Sequence, residues 1–135
     1  MNFSGIIAGS ACLVALASPA PAFELPPLIN LENVGKADLK PFLGKYDIRD
    51  KSGKKHCAIV LKSGATIGGL QAEVAPACAT TFPVMGEITG WQLRENYTIS
   101  LIDGLRKVRI TFTTPSLVYS AYPEVDGIVT IVKLK

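Results

Sequence analysis

From Gly44 onward, apolar and polar positions alternate with the period of two that marks strands with one buried face. Cys57, Ile59 and Leu61 alternate with His56, Ala58 and Lys62. Tyr97, Ile99 and Leu101 alternate with Thr98 and Ser100, and Val108, Ile110 and Phe112 with Lys107, Arg109, Thr111 and Thr113. The run from Ile128 to Leu134 is rich in β-branched residues. Turn chemistry separates these runs: Lys51-Ser52-Gly53, Ser63-Gly64, Glu95-Asn96, Asp103-Gly104, Thr114-Pro115, and Pro123 followed by Asp126-Gly127. The pattern predicts eight short strands near 44–50, 55–62, 66–72, 86–93, 97–102, 106–113, 116–122 and 127–134. Short, evenly spaced strands with tight turns point to an all-β fold. The expected form is a small antiparallel up-and-down barrel, whose closure removes exposed edges; a two-sheet sandwich is the alternative.

Two stretches depart from that period. Residues 73–83, with Pro76, Cys78 and Pro83, read as a long loop holding one helical turn. Residues 23–35 are apolar at Phe23, Leu25, Leu28, Ile29 and Leu31, but Pro26-Pro27 and the lack of a helical period make them an extended arm. Ala37–Leu43 can form a short helix, limited by Pro41.

Ahead of the arm, Ile6–Ala17 is almost wholly apolar and uncharged, and Ser18-Pro19-Ala20-Pro21-Ala22 offers the small-x-small pattern of a signal peptidase site. The run is shorter than the roughly 20 apolar residues a membrane span needs. The expected organisation is therefore a signal peptide over 1–22, cleaved after Ala22, an extended arm over 23–36 and a barrel domain over 37–135. Lipid anchoring at Cys12 is disfavoured, because the mature chain would then begin with the apolar Leu13–Ala17.

Export changes the meaning of the cysteines. Once Cys12 is discarded, Cys57 and Cys78 remain, and an even count in the periplasm implies a disulfide. Closing a loop of about 20 residues is worth roughly 3 kcal/mol by the chain-entropy argument. Two free thiols, or half of a metal site, are the weaker readings. His56 is the single histidine, and no Cys-x-x-Cys exists to build a zinc site, so neither metal nor cofactor is expected.

The net charge of +3 is small and lies outside residues 1–22. Lys51, Lys54 and Lys55 surround a turn, and aromatics are not interleaved with basic residues, which argues against nucleic acid as a partner. Catalytic chemistry is nearly absent. His56 stands alone, Gly68-Gly69 sits in a strand pattern rather than a phosphate loop, and Glu73 and Glu87 are not paired for acid–base work. Asn96-Tyr97-Thr98 fits a glycosylation acceptor at a hairpin turn. Trp91 is expected in the barrel core. The chain reads as a non-enzyme.

The order Gly44-Lys45-Tyr46, Cys57-Ala58-Ile59-Val60-Leu61, Cys78, Gly90-Trp91-Gln92-Leu93, Ile99-Ser100-Leu101-Ile102-Asp103 resembles the bacterial metalloprotease inhibitors of the Inh type. That family shares its domain with an outer-membrane lipoprotein group that also inhibits proteases. The resemblance covers roughly 39–134, with Tyr46 where the family usually has Trp, and Phe23-Glu24 where family arms begin with small Ser residues. It implies an eight-stranded barrel crossed by one disulfide, acting as a monomer on a secreted, serralysin-like zinc metalloprotease. The inhibitory role falls on Phe23, Glu24, Leu25, Pro26 and Pro27, which would occupy the active-site cleft. Two other functions are compatible with the residues: a small lipocalin-like periplasmic carrier of an apolar ligand, and an envelope protein that docks a partner through its arm.

Overall fold

The computed structural model describes residues 24–30, 36–114 and 118–134. The expected signal segment, Phe23 and residues 31–35 lie outside the described residues. Eight antiparallel strands form one sheet: β1 Gly44–Asp50, β2 His56–Thr66, β3 Gly69–Val74, β4 Ile88–Arg94, β5 Thr98–Asp103, β6 Val108–Thr113, β7 Ser120–Tyr122 and β8 Ile128–Lys133. Their order, β7-β6-β5-β4-β3-β2-β1-β8, is an up-and-down meander curled into a nearly closed barrel. β8 returns to pair with β1 from Tyr46↔Lys133 to Asp50↔Ile128. At the remaining seam, β7 approaches β8 without a ladder, and the Thr130 hydroxyl donates to the Tyr119 carbonyl across 2.6 Å.

The alternation read from the sequence sorts the inward faces, except at Tyr97, which lies outside β5 and is exposed. Trp91, Leu101 and Ile110 sit in register across β4, β5 and β6, as do Leu93, Ile99 and Phe112. These six join Tyr46, Ile48, Ile59, Leu61 and Ile131 in one buried cluster along the axis. Burial of this kind stabilises by roughly 25 cal/mol for each Å² of apolar surface removed from water.

Each end of the barrel is covered by a helical plug. At one end lies α1, Lys36–Leu39, continued by a 3-10 turn over Lys40–Phe42. Leu39, Phe42 and Leu43 pack against the core, and the Tyr46 hydroxyl donates to the Phe42 carbonyl at 2.9 Å. At the other end, α2 (Cys78–Thr81) and a 3-10 turn over Pro83–Glu87 insert Cys78, Phe82, Val84 and Met85. Cys57 and Cys78 are bridged there, with Cα atoms 5.2 Å apart, which ties the β3–β4 crossover to β2. The bridge and the eight-stranded barrel agree with the reading from sequence.

Several boundaries differ from those read from sequence. β4 begins at Ile88 because Pro83–Glu87 winds into a 3-10 turn instead of extending. β2 runs through Ser63-Gly64 to Thr66, with a register shift between Leu61 and Ala65, and the reversal comes at Ile67-Gly68, where Gly68 adopts φ +84°. Gly68 supplies that left-handed turn, and Gly69 beside it packs closely on β4. β7 is only Ser120–Tyr122.

Candidate functional site

The outward side chains of β4–β6 are not solvated as an up-and-down barrel would leave them. Ser100 and Ile102 are fully buried, and Thr98 and Thr111 are 1 % exposed. One cover is the β2–β3 tip. Gly69 lies so close to β4 that a Cβ there would sit 2.5 Å from the Trp91 carbonyl oxygen, and Gln92 Nε2 donates to the Gly68 carbonyl at 2.8 Å. Inside the wall, the Trp91 indole N–H donates to the Lys62 carbonyl at 2.9 Å, which satisfies the one polar atom of the largest core side chain.

The second cover is the arm. Glu24–Asn30 is extended, and it takes up the β4 edge where β3 stops. Leu28 bridges antiparallel to Arg94, the Ile29 N–H donates to the Leu93 carbonyl at 3.2 Å, and the Glu95 N–H donates to the Pro27 carbonyl at 2.9 Å. The half-buried Arg94 guanidinium donates through Nη1 to the Pro26 carbonyl at 2.8 Å, Nε to Ser100 Oγ at 3.0 Å and Nη2 to Gln92 Oε1 at 2.9 Å. Ser100 Oγ is in turn 3.0 Å from Thr111 Oγ1, so a hydrogen-bonded row runs from β6 to the arm. Leu25 lines a hollow of about 240 Å³ with Val108, Thr111, Tyr122 and Pro123.

Thus Leu25, Pro26 and Pro27 of the expected inhibitory set come together on β4–β6, with Glu24 exposed at the leading end of the described arm. Sequence reasoning did not select Leu28, Ile29, Arg94 or Tyr97, which belong to the same place. Leu28 remains 53 % exposed and Tyr97 68 % exposed. Tyr97 stacks on Phe42 with centroids 5.9 Å apart, and both Asn96 and Tyr97 hold positive φ, 62° and 58°. A bulky residue in that region is strained. A groove of about 410 Å³ runs between Ile29, Leu93, Asn96, Tyr97, Asp38 and Phe42.

Elsewhere, His56 Nδ1 lies 3.1 Å from Asp47 Oδ1, whose other oxygen takes Arg49 Nε at 2.6 Å. This is an ion-paired cluster on the β1–β2 hairpin, and the nearby Ser52 hydroxyl is spent on Asp50. Among the described residues there is no group of three or more His, Cys, Asp or Glu placed to hold a metal ion. Nor is any helix among them long and apolar enough to cross a membrane. Comparison with protein-family models, with curated proteins and with solved structures gives no match for this chain.

Proposed function

We propose that this protein is a periplasmic inhibitor of a secreted, serralysin-like zinc metalloprotease, with Phe23, Glu24, Leu25, Pro26 and Pro27 entering the enzyme's cleft. The observation that carries this reading is the extended arm. Ile29, Pro27 and Pro26 tie it to a disulfide-bridged barrel, and Glu24 stands exposed at its leading described end. An extended segment can pair along a protease cleft as an added strand, and the two prolines lower the ordering cost of binding and resist cleavage. The resemblance of the Gly44–Tyr46, Cys57–Leu61 and Gly90–Leu93 motifs to the Inh type adds the target class. The inhibitor itself contributes no metal; the zinc belongs to the enzyme.

A carrier function is weaker on physical grounds, because Trp91, Phe82, Phe112 and the surrounding isoleucines fill the axis where a ligand would sit. The test is a titration of the protein beginning at Phe23 against a serralysin-type zinc protease, with serine and cysteine proteases in parallel. Stoichiometric loss of the zinc enzyme's activity alone is expected. Inhibition of another class would discard the zinc-directed arm, and no inhibition of any class would leave partner docking as the better account. Deleting residues 23–27 is expected to abolish inhibition while leaving the barrel's near-ultraviolet circular dichroism unchanged. Retained inhibition would move the site onto the barrel wall.

A further inference from the structure

Pro26 and Pro27 have no backbone N–H, so this part of the arm can offer β4 only carbonyls. In the Leu28–Arg94 bridge the Ile29 N–H donates to the Leu93 carbonyl, and the Pro27 carbonyl accepts from Glu95. These two bonds hold a segment whose Leu28 is half in water. A further point of attachment comes from a side chain. The Pro26 carbonyl is taken by a guanidinium whose other nitrogens are already oriented by Ser100 and Gln92, with Ser100 itself held by Thr111. A planar fork fixed at two corners aims its third without further ordering, which a lysine ammonium cannot do.

We infer that Arg94 is the positioning residue of the arm: it clamps the Pro26 carbonyl to the outer face of β4–β5 and thereby sets the course of Glu24 and Leu25 over β6. The inference rests on the inhibitor reading for its functional half, and its structural half stands alone. The clamp explains why an apolar, proline-bearing segment keeps one course across a sheet with which it shares so little ladder. It also gives a use to an outward polar row, Arg94-Ser100-Thr111, of which Ser100 and Thr111 are buried.

The test compares wild type with Arg94→Met in the chain beginning at Phe23, by amide hydrogen exchange and by inhibition of the zinc protease. Exchange at Ile29 and Glu95 should quicken about tenfold or more, the worth of a charge-assisted hydrogen bond, while the β1–β2 ladder amides keep their protection. Inhibition should weaken by a similar factor. If wild type inhibits and Arg94→Met inhibits equally well, or better, the clamp does not position the arm and the inference falls. If wild type does not inhibit, the inhibitor reading fails by itself. Exchange then decides the clamp, with unchanged protection at Ile29 and Glu95 overturning it. Should Arg94→Met not fold, Arg94→Lys serves the same comparison, because one ammonium cannot hold Ser100, Gln92 and Pro26 at once.

Discussion

Tyr46 takes its phenol into the barrel, 2 % exposed, and donates it to the Phe42 carbonyl. Burial, and then the neighbouring Tyr119 phenol, push its pKa up to about 12, and burial raises that of Tyr119 as well. The folded chain therefore keeps protons that the unfolded chain releases above about pH 10. Stability from these groups is complete below that pH and is lost as pH climbs towards 12. Urea titrations from pH 8 to 12 should show this alkaline loss, and Tyr46→Phe should remove most of it, at a cost near neutrality of about 1 kcal/mol for the hydrogen bond. At acid pH the sign reverses. The Lys107 N–H, with Leu105 N–H and Arg109, holds the Asp103 carboxyl below its usual range, so its contribution is present at neutral pH and disappears on protonation. Trp91→Phe should cost about 1–3 kcal/mol by denaturant melting, since the bond from the indole N–H to the Lys62 carbonyl is lost and the smaller ring under-fills the core; an unchanged midpoint would mean that water takes the indole's place. The core positions, Trp91 among them, were legible as one side of a period-two pattern. Arg94 was not. Its partners Pro26, Ser100 and Gln92 lie on both near and distant segments, and a basic residue at a strand end looks like any solvated cation.

The strands show the same division between what is local and what is not. Regular alternation and turn residues placed all eight, because both signals act within a few neighbouring positions. The boundaries that moved are those decided by packing across the molecule. The stretch Pro83–Glu87 coils because Val84 and Met85 are needed at the barrel's end, where the Val84 N–H meets the Asp126 carboxylate at 2.7 Å. β2 overruns Ser63-Gly64 because its tip must fold down over Gly90 and Ile102. That contact makes a sharp prediction. Gly69→Ala would set a methyl against backbone, the Trp91 carbonyl, with no flexible side chain to give way. The tip should lift and stability fall by about 1–3 kcal/mol, read from thermal melting. An unaltered melt would show that the tip is not pressed on β4. The arm was legible as extended, since its prolines forbid a helix. Its seat on β4 was not, because only the early end of β3 leaves that edge free.

At the scale of the whole molecule, one end is stapled and the other carries the arm. The Cys57–Cys78 bridge joins β2 to the plug between β3 and β4, and Cys57→Ser should lower stability by about 2–4 kcal/mol in oxidised protein. A reducing agent should abolish the difference between the two proteins, and a persistent gap would assign it to packing at Cys57 instead. The strand order has a different reach. Neighbours in the chain are neighbours in the sheet until β7, but β8 leaves that rule and pairs with β1, more than seventy positions away in sequence. Everything up to Tyr122 can zip as successive hairpins, yet the cylinder stays open until Ile128–Lys133 arrives. A growing chain thus holds two raw strand margins until its last strand is supplied, and cannot lock into a finished shape early. For the export proposed above, such lateness would keep the chain open until passage is complete. A copy cut short before β8 advertises its own incompleteness to any protease that meets it.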